Sequence, residues 1–142
     1  MPVVDASVVV DWVAPDADAE LPALTALERL AADDAELLAP RLLMEEVANA
    51  LLTGVRRERW SGADADKARG LLRELPVRLI DEPRDLDRAW DLARRYDNHP
   101  VYDLVYVAVA ERQRTQLITA DSTLRRRLSD FDWLVAPEQI LR

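Results

Sequence analysis

The sequence predicts an α/β fold built on a parallel sheet with helices on both faces. Short apolar runs alternate with stretches of helical period along the 142 residues, and no two consecutive strand signals are joined by a hairpin turn. Parallel strands need crossover helices, so this alternation selects the class. With 49% hydrophobic residues the chain can bury roughly 68–70% of its unfolded surface, enough for one domain over residues 1–142.

The elements follow in order. Met1–Val4 reads as a first strand ending at Asp5, which is placed to cap a short helix over Ala6–Val13. Pro15–Pro22 is an acidic loop, Leu24, Leu27, Leu30 and Ala31 recur at helical spacing, and Glu36–Ala39 is a second strand before Pro40. Arg41–Arg59 is the clearest amphipathic helix, with Leu43, Val47, Ala50, Leu51 and Val55 on one face. At about 100° per residue Glu46 falls on the flank of that stripe, whereas Glu45 points to water.

Ser61 caps a helix over Gly62–Leu75, Val77–Ile80 is a third strand, and Pro83 opens a helix to Tyr96. The next run, VYDLVYVAVAE, is apolar on nearly every side, which marks a helix enclosed by protein. The polar link RQRTQ leads to a buried strand over Leu117–Thr119. A helix over Ser122–Ser129, a last strand over Trp133–Val135 and a tail helix after Pro137 complete the chain.

Composition narrows the chemistry. The absence of cysteine excludes disulfides, thiolate zinc sites and a thiol nucleophile, and a single histidine excludes paired imidazoles. The N-terminus lacks the basic flank of a signal peptide and no run reaches the length of a membrane span, so the sequence reads as a soluble cytoplasmic protein. A net charge of −8 argues against sequence-independent binding of nucleic acid, although two divalent cations would halve it. The arginine groups, including Arg125, Arg126 and Arg127, read as solvated helix ends that complement the macrodipole.

Against that background the acids on dry segments stand out. Asp5 and Asp121 each follow a strand, Asp103 sits in the first turn of the enclosed helix, and Glu46 lies one turn into its own helix. In a parallel sheet the strand C-termini share one edge, where ligands bind, so these residues can meet there. Each of the three aspartates, taken alone, is equally well read as a helix cap, but Glu46 is not at a capping position. Asp81 is a decoy that capping of the Pro83 helix explains; the acids of the Pro15–Pro22 loop and Asp33, Asp34, Asp64 and Asp66 face solvent, and His99 reads as a loop residue. Carboxylates without histidine or cysteine suit a hard cation such as magnesium or manganese, and hydrolysis of a phosphodiester is the chemistry they favour.

Four segments, VVDASVVVDW, APRLLMEEVANALL, YDLVYVAVAE and LITADSTL, together resemble the PIN-domain ribonucleases, specifically VapC-type toxins of bacterial toxin–antitoxin modules. The resemblance spans nearly the whole chain. It implies an α/β/α sandwich and a magnesium- or manganese-dependent endoribonuclease. Asp5, Glu46, Asp103 and Asp121 match the family's acids, and Ser7 and Thr119 its supporting hydroxyls. Leu104 stands where the family usually carries a small residue. Also implied are an RNA substrate, transfer RNA among the candidates, a cognate VapB-type antitoxin and a homodimer; apolar faces at Leu24–Leu30 and Leu43–Val55 are read first as core. Two rivals are set beside it. A receiver- or phosphatase-type domain needs a late lysine, and the chain has only Lys67. A PIN-like module that only binds partners would use its acids as caps.

Overall fold

The computed structural model describes residues 1–140 and has one five-stranded sheet in the order β3-β2-β1-β4-β5, with every pairing parallel. The strands are β1 (Val3–Val4), β2 (Leu37–Pro40), β3 (Val77–Ile80), β4 (Leu117–Ile118) and β5 (Leu134–Val135). The helices are α1 (Ala6–Val13), α2 (Pro22–Ala32), α3 (Leu42–Arg56), α4 (Gly62–Glu74), α5 (Pro83–Arg95), α6 (Val101–Gln113), α7 (Ser122–Arg127) and α8 (Pro137–Ile140). The α/β/α sandwich expected from the sequence is the observed architecture. No helix among the described residues is long and apolar enough to cross a membrane.

The chain builds outward from β1 through β2 to β3, then returns to the other side of β1 for β4 and β5. The strand order therefore reverses between β1 and β4. At such a switch point the crossovers diverge and leave a crevice beyond the strand C-termini, the usual seat of a ligand in this architecture. Asp5 leaves β1 and Thr119 leaves β4 at that crevice.

Burial explains why the central strands are so apolar. Val3, Val4, Leu38, Ala39, Leu117 and Ile118 are completely buried, as strands covered on both faces must be. Helix α6 packs on β1, β2 and β4, with α5 laid against it. Its Leu104, Tyr106, Val107, Ala108, Val109 and Ala110 are all buried, as its all-round apolar sequence requires. Two bidentate ion pairs clamp α5 to α6. Arg112 meets Asp85 at 2.8 Å through both oxygens, and Arg88 meets Glu111 at 2.7 and 3.0 Å. The clamp fixes the helix that carries Asp103.

Several boundaries differ from the sequence expectation for physical reasons. Strand β2 runs one residue further, to Pro40, which pairs in register with Ile80. Arg41 N–H donates to the Ile80 carbonyl and Leu38 N–H to the Pro2 carbonyl, so the missing N–H of Pro40 lies on the β1 side at the strand's last position, where a single ladder bond is lost. Helix α3 stops at Arg56 rather than Arg59. Trp60 folds back on it, donating Nε1–H to the Leu51 carbonyl at 2.9 Å and lying where a Cβ on Gly54 would come within 2.1 Å of its ring. Asp81 does not cap α5: Glu82 holds that position without a side-chain cap bond, and Asp81 is exposed. The apolar face Leu43, Val47 and Leu51 is core, as read, and so are Ala23, Ala26 and Leu30 on α2.

Candidate active site

Asp5 follows β1 and is only 5% exposed. It occupies the N-cap position of α1 but makes no side-chain cap bond. Instead two hydroxyls converge on its Oδ2: Ser7 Oγ donates at 2.7 Å and Thr119 Oγ1 at 2.8 Å. Each hydroxyl is itself positioned by the chain after β4, Ser7 accepting from Ala120 N–H at 3.0 Å and Thr119 from Asp121 N–H at 3.1 Å. The turn after β4 thus holds an acid that belongs to β1. Oδ1 of Asp5 lies outside this clamp.

Burial pushes the Asp5 carboxyl above the usual carboxylate range; the Ser7 and Thr119 hydroxyls oppose that push, and the Asp103 charge adds to it. Glu46, on α3, is half-buried and is raised in the same way by desolvation. The Tyr106 hydroxyl favours its charged form, while Asp5 and Asp103 disfavour it. Glu46 Oε1 and the Tyr106 hydroxyl are nonetheless both buried without a completed hydrogen bond. They face one another electrostatically, and burial drives the phenol of Tyr106 strongly upward, with the Glu46 charge next in effect. Glu45 is exposed, as the helical spacing predicts.

Asp103 makes a bond of its own. Its Oδ2 lies 2.8 Å from His99 Nε2, and His99 Nδ1 lies 3.0 Å from Arg127 Nη1. Asp121 is the one member of the predicted set that acts as a side-chain cap, its Oδ1 accepting from Leu124 N–H at 3.1 Å at the start of α7. Its backbone N–H joins it to Asp5 through the Thr119 hydroxyl.

Asp5 after β1 thus feels the charge of Asp103, Glu46 on α3 feels those of Asp5 and Asp103, and each of the two aspartates has one oxygen held by neighbours. Among the described residues no three such side chains already stand at ligand spacing. The donor set is nonetheless of the right kind for a hard cation: oxygen throughout, excess negative charge, and a buried Glu46 oxygen with no partner, which is the group such an ion satisfies.

A family model described as PIN domain matches residues 3–127. The chain belongs to the PIN-domain family. All four acids fall within the matched span. The chain is also similar to a VapC ribonuclease of Mycobacterium bovis and to Ribonuclease VapC9 of Mycobacterium tuberculosis, at 34% identity over 77% of this chain and 85% of each relative. This is the VapC-type PIN protein that the four sequence segments resemble.

Sequence reasoning missed several residues packed around these acids. His99 is not a peripheral loop residue: it is buried, 6% exposed, and bridges Asp103 to Arg127. The last-turn arginines of α7 are not simply a solvated end, since Arg125 donates to the Thr119 carbonyl and Arg127 to His99. Tyr106 was visible only as an apolar position. The signal that was available is the i, i+4 spacing of His99 and Asp103, which sets His99 just ahead of α6 and within reach of the acid in its first turn.

Proposed function

We propose that this PIN-domain protein is a magnesium- or manganese-dependent endoribonuclease toxin that hydrolyses RNA. The observation that carries this reading is the buried Glu46 oxygen that no hydrogen bond satisfies, with burial first and neighbouring carboxylate charge next raising both Asp5 and Glu46. A divalent cation relieves both. The relatives' names, both ribonucleases, supply the substrate class.

Asp5 and Asp103 would hold the cation through Oδ1, since their Oδ2 atoms are committed to Ser7 and Thr119 and to His99. Glu46 would complete the set through its buried, unpartnered Oε1. When bound, magnesium or manganese supplies Lewis-acid polarisation of the phosphoryl group and makes water more acidic. Hydrolysis forms a bond from the water oxygen to phosphorus and breaks the bond from phosphorus to the 3′-oxygen, which leaves with a proton. Asp121 is assigned a share of the cation site through its free oxygen, with its capping bond setting its direction.

We assign the protein to the cytoplasm, with transfer RNA the first substrate to test. The toxin reading also brings a VapB-type antitoxin as partner and a homodimer as assembly. An arginine from the antitoxin tail would suit the acidic pocket in place of the cation. Mapping the ends left on total RNA tests the reading: 5′-phosphate and 3′-hydroxyl ends, lost on chelation and in Asp103→Asn, are expected. Cyclic 2′,3′-phosphate ends, or cleavage that persists in chelator, would overturn it.

A further inference from the structure

We propose that His99 is a positioning residue for Asp103, locked in a single tautomer by Arg127, so that Asp103 offers one defined oxygen to the cation. The role rests on the metal-dependent reading above, but the geometry beneath it does not. A guanidinium has only N–H donors, so the ring nitrogen facing Arg127 Nη1 at 3.0 Å must accept. Nδ1 is thereby the bare nitrogen. In a neutral imidazole the proton then sits on Nε2, and Nε2–H donates to Asp103 Oδ2 at 2.8 Å.

The chain invests in this arrangement. His99 is 6% exposed although it lies between helices. Asp97 and Asn98 before it both adopt the left-handed conformation, at φ of 58°, which non-glycine residues seldom do in succession. Arg94 Nη1 holds the Asn98 side chain at 2.5 Å, and His99 N–H bonds to the Tyr96 carbonyl at 3.2 Å. Pro100 then starts α6 one turn before Asp103. The result is a relay from α7 through a rigid loop to α6. Arg127 chooses the tautomer, His99 takes up Oδ2, and Oδ1 is left as the oxygen for the cation. Outer partners of this kind typically change metal affinity by about 10–100-fold.

Because His99 is the only histidine, labelling with ¹⁵N-histidine gives one imidazole spectrum from the intact protein. Above neutral pH, without metal, the long-range proton–nitrogen spectrum should show protonated Nε2 and bare Nδ1; the opposite tautomer, or a mixture, would overturn the proposal. In Arg127→Ala the ring should become a mixture of tautomers, and an unchanged spectrum would remove Arg127 from the relay. Calorimetric titration with manganese separates the role from the metal reading. His99→Ala should bind about 10–100-fold more weakly than wild type, and His99→Gln, whose amide can still donate to Oδ2, should recover part of the loss. Wild-type affinity in a folded His99→Ala overturns the positioning role alone. No uptake by the wild type overturns the metal reading, and with it any role for His99 toward a cation.

Discussion

Thr119 Oγ1 donates to Asp5 Oδ2 at 2.8 Å, joining residues 114 positions apart across the switch point between β4 and β1. The same hydroxyl accepts from Asp121 N–H, so one side chain orders an acid on each strand end. Thr119→Val keeps the shape and removes both bonds. The expected outcome is a loss of about 0.5–3 kcal/mol in stability, since a buried carboxylate loses a donor, and a fall in cleavage of about 10–100-fold. Denaturant unfolding and single-turnover cleavage measure the two effects separately.

Asp5 and Glu46 are held above their unfolded values, about 3.9 and 4.3, by burial first. For an acid raised on folding, the native state keeps its proton to higher pH than the unfolded chain. The destabilisation is thus absent below the unfolded pKa and grows as pH climbs through the folded one. The metal-free protein should accordingly lose stability as pH rises from about 4 toward neutrality through this pair. Asp5→Asn and Glu46→Gln should flatten that slope and raise Tm, by about 2–4 °C for each kcal/mol of relief, while abolishing cleavage. Thermal unfolding across pH, with and without manganese, checks the sign.

Gly54 illustrates a steric rather than an electrostatic constraint. A helical glycine replaced by alanine ordinarily gains about 1 kcal/mol, but a Cβ here would lie 2.1 Å from Trp60 Cζ2. Gly54→Ala should instead destabilise by about 1–3 kcal/mol and displace the indole, seen as a red-shifted tryptophan emission.

The α5–α6 clamp gives a further expectation. Asp85 is buried, and Arg112 satisfies both its oxygens at 2.8 Å. Arg112→Ala strands that carboxylate; because the Arg112 side chain is one-third exposed, the cost should fall at or below about 3 kcal/mol. Activity should fall less than stability, since Asp103 lies at the other end of α6. Urea unfolding beside cleavage rates measures both.

Most of the fold was legible because its signals are local. The enclosed α6, the Pro-started α5 and the edge strand Val77–Ile80 follow from periodicity, punctuation and strand length, and alternation alone dictated parallel pairing. The acids Asp5 and Asp103 were legible because a charge on an apolar run needs a reason. What was not legible depends on contacts between distant segments. Nothing near Arg127 announces a partner 28 positions earlier, and α3 ends where it does because Trp60 returns to Leu51 and Gly54. Asp81 misled because a strand end followed by proline resembles a cap, while the chain gives that place to Glu82.

The claim on which the rest depends is that Asp5, Glu46 and Asp103 share a cation. Anomalous diffraction from crystals soaked in manganese measures this most directly. A peak is expected within coordination distance of Asp5 and Asp103, lost in Asp103→Asn crystals of unchanged fold; a fully soaked crystal with no peak between these carboxylates would contradict a shared cation.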